Sequence, residues 1–248
     1  MQTLTINLTA PLQTWGNPAN YDHRTTSPYP TKSGIIGLLG CALGIPRDDP
    51  HDRIAQLNDQ LQVAVRVDQA GATLTDLHNV AYGPKRNQLK QTYRDYLTDA
   101  VFVVAVAGRD QLIQDLIHAL KHPHFQLNLG RRACVPMGPL VLHRYPGGNP
   151  ANALMDLPWQ ARPWFQRQAG PDVELRIVAD ADCLPGQPTQ LVHDQVRSLN
   201  PHHRRYDYRP VAQTTVTLTN DLASAEPEPV VTTTPDPTGL AFDLFAQL

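Results

Sequence analysis

Val101-Phe-Val-Val-Ala-Val106, followed by Gln111-Leu-Ile-Gln-Asp-Leu-Ile-His-Ala-Leu120, is the stretch whose reading decides the fold. An unbroken apolar run of this length reads as a strand covered on both faces. The spacing of Leu112, Ile113, Leu116, Ile117 and Leu120 reads as one apolar stripe of an amphipathic helix, which Pro123 ends. Working toward the N-terminus, Leu61, Val63, Val65 and Val67 alternate as in a strand, and a polar excursion over 68–98 separates the two strands. Toward the C-terminus, residues 139–143 read as one more strand.

The N-terminal end repeats the strand–helix unit. Leu4, Ile6 and Leu8 alternate with Thr3, Thr5, Asn7 and Thr9, a half-buried strand that Pro11 ends. After a polar loop, Thr31-Lys-Ser-Gly-Ile-Ile-Gly-Leu-Leu-Gly-Cys-Ala-Leu-Gly44 predicts a helix. Thr31 or Ser33 caps it, and Gly44 with Pro46 stops it. The order is strand, helix, strand, excursion, strand, helix, strand. That is the βαββαβ pattern of an α+β, ferredoxin-like (RRM-like) domain, whose open sheet face RNA-recognition domains use. Four glycines in the first helix (Gly34, Gly37, Gly40, Gly44) each cost up to about 1 kcal/mol against alanine, so something approaches that helix closely. A sheet and a ligand are both open; packing on the domain's own sheet is expected for Gly40 and Gly44, and RNA or partner contact for Lys32, Ser33 and Gly34.

Beyond 145 the pattern weakens. Residues 173–178 and 213–219 read as strands of a smaller β-rich subdomain over 146–219. Residues 220–248 form an acidic, proline-rich tail with Asp221, Glu226, Glu228, Asp236 and Asp243 and no base. The 23 prolines in 248 residues exceed the usual share and exclude a long-helix protein. Residues 1–219 carry all 21 bases and 18 acids, so a mildly basic body precedes the acidic tail. Of the bases, 17 are arginine, which suits phosphate forks and base stacking; a GC-rich genome favours arginine equally well.

Three cysteines, Cys41, Cys134 and Cys183, without a C-x-x-C argue against structural zinc. The start lacks a basic, then apolar, leader, and the longest apolar run, Gly34 to Pro46, is shorter than the about 20 residues of a membrane span. The expectation is a soluble cytoplasmic protein with no cofactor and no metal. The sequence holds no P-loop, G-x-S-x-G, H-E-x-x-H or dinucleotide fingerprint. His118 and His122 share a helix face, but no nearby acid completes a metal site. A metal-free ribonuclease could draw on His23, His78, His202, His203, Tyr82, Tyr93 and Lys90, although no spacing singles out a pair.

Nucleic-acid contact has more support. Gly130, Arg131 and Arg132 combine a permissive backbone with two guanidinium forks. Lys85, Arg86, Lys90, Tyr93 and Arg94 mix cations with an aromatic ring inside the excursion, and His202-His-Arg-Arg-Tyr-Asp-Tyr-Arg209 repeats that mixture. Lys32, Ser33 and Gly34 place a cation and free amides at a helix start.

Several blocks then carry a resemblance. Ala10-Pro-Leu-Gln-Thr-Trp-Gly16, Tyr29-Pro-Thr-Lys-Ser-Gly-Ile-Ile-Gly-Leu-Leu38, Cys41-Ala-Leu-Gly-Ile-Pro-Arg-Asp-Asp49, Asp76-Leu-His-Asn-Val80, Tyr93-Arg-Asp-Tyr-Leu-Thr-Asp-Ala-Val-Phe-Val-Val104 and Leu129-Gly-Arg-Arg-Ala-Cys-Val-Pro136 resemble the CasD-type subunits of CRISPR type I-E Cascade complexes, in the RAMP superfamily. The likeness covers roughly 1–219, and the tail from 220 is longer than the family leads one to expect.

The resemblance implies a ferredoxin-like RAMP domain over 1–145 with an inserted β-hairpin thumb at about 68–100. It implies a non-catalytic subunit that holds the 5′ handle of the CRISPR RNA and caps the backbone filament. Its partners would be that RNA, the large PAM-reading subunit, the backbone subunit and, through the complex, target DNA, with no membrane. The expected RNA-binding residues are Gln13, Trp15, Gly16 and Arg24 near the first strand's end, together with Lys32, Ser33 and Gly34. Lys85, Arg86, Lys90, Tyr93 and Arg94 would act from the thumb, Gly130, Arg131 and Arg132 would grip phosphate, and Arg204, Arg205 and Tyr206 would add a second basic wall. A metal-independent endoribonuclease acting on repeat RNA and a purely structural cap are the alternatives.

Overall fold

The computed structural model describes residues 1–16, 22–83 and 88–223. The strands are β1 (Gln2–Thr9), β2 (Leu12–Gln13), β3 (His23–Arg24), β4 (Gln62–Gln69), β5 (Ala72–Tyr82), β6 (Gln88–Thr98), β7 (Val101–Gly108), β8 (Val141–Pro146), β9 (Asp172–Asp180), β10 (Thr189–Ser198) and β11 (Arg205–Thr219). The helices are α1 (Lys32–Ala42), α2 (Arg53–Gln60), α3 (Asp110–Lys121), α4 (Pro150–Asp156) and α5 (Pro163–Gln168). The chain is a mixed α+β protein dominated by sheet.

Seven strands run in the order β10-β11-β9-β4-β7-β1-β8, every neighbouring pair antiparallel. Strands β9 to β11 therefore extend the sheet that β1, β4, β7 and β8 build. The polar excursion is a long antiparallel hairpin, β5 against β6 from Ala72↔Thr98 to Tyr82↔Gln88. At its base β2 pairs with β6 antiparallel, and β3 pairs with it in parallel through His23↔Tyr93 and Arg24↔Arg94.

Alternation decides which side chains meet which layer. Leu4, Ile6 and Leu8 of β1, with Val63, Val65, Phe102, Val104 and Val106, face the helices and meet Ile35, Ile36 and Leu39 of α1 and Ile113 and Leu116 of α3. Ala64, Val103, Ala105, Ile177 and Ala179 point to the opposite face, where Ala151 and Leu154 of α4 cover them. β7 is buried at every position, as its unbroken apolar sequence requires. The second face corrects one expectation: the sheet face expected to stand open lies under α4. The reason sits in residues 149–158, a segment with no strong periodicity. Asn149 caps α4 through its side chain, which accepts the amide of Ala151, and Pro150 supplies a pre-set first turn.

Arg66 fixes that cover. Its side chain is fully buried, pairs bidentately with Asp68 at 2.8 Å for both bonds, and donates to the carbonyls of Leu154, Leu157 and Pro158. Asp68 also accepts the amide of Gln160. Burial pushes the Asp68 carboxyl above its ordinary range, against the opposing pull of Arg66.

Two glycines of α1, Gly34 and Gly40, are explained by packing within the chain. A Cβ on Gly40 would lie 2.4 Å from Ile54 Cδ1 of α2, and one on Gly34 would lie 2.9 Å from the Trp15 ring. The close neighbours are side chains of α2 and of the segment after β2, so no ligand is needed to account for them.

Candidate nucleic-acid interface

The loop 129–134 is held by its own turn bonds and by the segment after β2. Leu129 N donates to Cys134 O at 2.7 Å, Cys134 N to Arg131 O at 2.8 Å, and Thr14 N to Leu129 O at 3.0 Å. Gly130 stands at φ +103, and a Cβ there would lie 1.9 Å from the Thr14 carbonyl oxygen. Only glycine meets both requirements. The Arg131 amide then donates to Thr14 Oγ1 at 3.0 Å.

Arg131 ties this loop to the hairpin base. Its guanidinium donates to Asp95 O at 2.9 Å and to Arg24 O at 2.7 Å, and it lies 4.8 Å from the centroid of the Tyr96 ring. Part of the guanidinium's donor capacity is thus used on backbone carbonyls, so Arg131 also positions the site. Arg132, one residue on, is exposed and has no hydrogen-bond partner among the described residues. Gly130 is also exposed, as is the Arg24 side chain.

The parallel pairing of β3 with β6 gathers the rest. His23 Nε2 meets the Asp95 carboxylate at 2.9 to 3.0 Å, and Thr75 from β5 donates to the same carboxylate at 2.7 Å. Burial of Asp95 pushes its carboxyl up, but the hydrogen bonds from His23 and Thr75 and the charges of His23 and Arg131 outweigh this and hold it below the ordinary range. The Tyr93 ring lies edge-on to His23 with centroids 5.9 Å apart. Lys90 reaches Asp22 at 2.5 Å, and Arg94 is half-buried opposite Asp76. Leu74, Leu77, Val80, Tyr82, Leu89 and Tyr93 leave apolar surface exposed along the hairpin. By alternation Arg24, Arg94 and Lys90, the last held by Asp22, stand on one face of the hairpin, and Tyr93, His23 and Asp95 stand on the other, with Arg132 on the adjoining loop. Cations for a phosphate backbone and a ring for a splayed base are thus both present, on two faces of one hairpin.

Other expected residues lie elsewhere. Gln13 is fully buried and donates to Leu8 O and Ala100 O, locking the turn after β1, and Trp15 is buried in the core. Lys32 is buried as well. Its Nζ meets Asp180 at 3.0 Å, and its amide donates to Asp194 at 2.8 Å. Thr31 Oγ1 accepts the amide of Gly34 and approaches Ser33 Oγ, which is half-buried. The anion site expected at the start of α1 is therefore filled by the protein's own carboxylate and cap. Burial corrects the assignment of Gln13, Trp15 and Lys32 to direct RNA contact, while Ser33 and Gly34 stay half-buried at the start of α1. Gly16 is exposed at the edge of the described segment, and Lys85 and Arg86 lie outside the described residues. Arg204, Arg205 and Tyr206 belong to the β10–β11 edge, which shares no element with the loop site.

The His23–Asp95–Thr75 cluster has no local sequence signature, because its members come from three strands: the antiparallel hairpin sets Thr75 opposite Asp95, and the parallel register of β3 adds His23. The rings of His118 and His122 lie 5.1 Å apart, and no group of three or more candidate metal ligands occurs among the described residues.

Residues 3–212 match the family model described as CRISPR-associated protein (Cas_Cas5). The chain is 35% identical over 170 residues to the CRISPR system Cascade subunit CasD of Escherichia coli (strain K12), covering 62% of this chain and 75% of that protein. A solved chain from a "CRISPR RNA-guided surveillance complex" superposes with a TM-score of 0.71 at 29% identity, covering 92% of this chain and 95% of the other. A second, titled "Crystal structure of Cas protein", gives 0.64 at 32% identity, covering 89% and 97%.

Proposed function

This chain belongs to the CRISPR-associated Cas_Cas5 family, and from that premise we propose that it is a non-catalytic RNA-binding subunit of a Cascade-type surveillance complex. It holds the 5′ handle of the CRISPR RNA and caps one end of the backbone filament. It works in the cytoplasm, beside the large PAM-reading subunit and the neighbouring backbone subunit, and meets target DNA through the complex. Among the described residues no helix is long and apolar enough to cross a membrane. We read the order β4-β7-β1-β8, with α1 after β1 and α3 after β7, as the ferredoxin-like unit of a RAMP domain, and the β5–β6 hairpin as its inserted thumb. The exposed apolar residues on that hairpin fit a surface that partners cover in the complex.

One observation carries the reading: Arg131 binds carbonyls on β3 and β6 and so joins the loop that bears exposed Arg132 to the strands that bear Arg24, Lys90 and Arg94. Single-stranded RNA takes such a surface through phosphate contacts and stacked bases. A second reading rests on the His23–Asp95 pair beside Tyr93, since a carboxylate-oriented imidazole can serve as a general base in metal-free cleavage of RNA. Incubating the full chain with labelled repeat RNA in EDTA separates these. Retarded, uncut RNA is expected. A specific cut would transfer the role to His23, and neither binding nor cutting would leave a structural cap.

A further inference from the structure

β10 forms one edge of the seven-stranded sheet, with β11 as its inner neighbour. Alternation along β11 sets Tyr206 and Tyr208 on one face, about 6.8 Å apart along the strand. His193 enters from β10. Its Nε2–H donates to the Tyr206 carbonyl at 2.9 Å, which fixes the ring, and the imidazole lies 4.7 Å from the Tyr208 centroid at 33° and 6.1 Å from the Tyr206 centroid at 73°. Tyr208 is nevertheless 64% exposed, and Leu191, opposite Pro210, is 70% exposed. Rings that are held in place and still bare lose little freedom when something stacks on them.

The charges around this stack are net basic. The turn before β11 exposes His202, His203 and Arg204, and β11 opens on exposed Arg205. Asp207, the carboxylate within β11, is taken by Arg197 at 2.6 Å, and Arg197 also holds Asp59. Rigid exposed rings beside guanidinium groups, with the neighbouring carboxylates already paired, fit bases and phosphates. An apolar or basic protein surface would leave these arginines unanswered.

We propose that the β10–β11 edge is a second single-stranded nucleic-acid platform, on which a base stacks against Tyr208 and His193 while Arg204, from the turn before β11, takes a flanking phosphate. The platform is independent of the handle site.

The test uses the full chain and short labelled oligouridine and oligothymidine strands that lack repeat sequence. His193→Ala with Tyr208→Ala is expected to weaken binding at least about fivefold, whereas Tyr208→Phe retains it. Replacing Arg204 with alanine is expected to reduce the salt slope by about 1. Arg132→Ala should leave these strands unaffected while lowering affinity for the handle, so either reading can fail alone. Binding of both strands points to any single strand of the complex, DNA included; binding of oligouridine alone points to RNA. Photo-cross-linking with iodouridine strands on the unaltered chain keeps the test open if a variant misfolds, with adducts expected at Tyr208 or His193. Unchanged affinity in a folded double variant, or adducts confined to the 129–134 loop and the hairpin, would overturn the platform.

Discussion

Arg66 and Arg132 show two regions using the same side chain for opposite ends. Arg66 on β4, Arg209 on β11 and Lys32 on α1 are interior parts. Arg66 is locked to Asp68 and three carbonyls, and Arg209 is buried between Asp194 and Asp180, with Lys32 on the same pair of carboxylates. Along the 129–134 loop and the start of β11, Arg132, Arg204 and Arg205 are exposed. The basic body of the sequence is thus not one electrostatic surface. What separates the two classes is the supply of buried carboxylates within reach, which turns a cation into a clasp.

The sharpest way to break this contrast is Arg66→Met. It strands a buried carboxylate and three carbonyls, so unfolding by urea should show a loss of about 3–5 kcal/mol. Adding Asp68→Leu should recover much of it, because the uncompensated charge is then gone. A loss under about 1 kcal/mol in the single variant would mean that Arg66 is not the clasp.

Next in size is Asp194→Ala. It frees the first amide of α1 and leaves Arg209 with Asp180 alone, for an expected loss of about 2–4 kcal/mol. If α1 amides near Lys32 kept their hydrogen-exchange protection, the clasp would not be what seats the helix.

Gly130→Ala tests the exposed region from its support. The left-handed backbone and the clash with the Thr14 carbonyl should cost about 1–3 kcal/mol locally. Handle RNA affinity should fall with it, although no RNA-facing charge is removed.

Asp95 gives a smaller, pH-dependent effect. Its folded carboxyl sits below the ordinary value of 3.8, so its stabilising contribution is present above that value and disappears as pH falls through the lower folded value. Asp95→Asn should therefore flatten the acid limb of a thermal-melt profile below about pH 4 and leave the alkaline limb as it was.

The smallest change in stability, within about 0.5 kcal/mol, is expected for Arg132→Ala. Its handle affinity should nonetheless fall about tenfold, and the salt slope by about 1. That outcome, set against Arg66→Met, would complete the contrast between a structural and a contacting arginine.

Much of the fold was legible because its signals are local. The alternation of Leu4, Ile6 and Leu8, the apolar run 101–106 and the stripe from Leu112 to Leu120 each follow from the period of a strand or a helix, and β1, β7 and α3 form where those periods place them. The exposed arginines after Gly130 and before Tyr206 were also legible, since glycine and turn residues mark where the chain surfaces. Tertiary structure alone decided the rest. Lys32 reads as a helix-start cation but meets Asp180, 148 residues away, and His23 finds Asp95 72 residues on. α4, too weakly periodic to be read, covers the sheet face that the strand pattern left open. Periodicity fixes which way a side chain points from its own backbone; what it meets there depends on strand order and register, which are set only when distant segments pair.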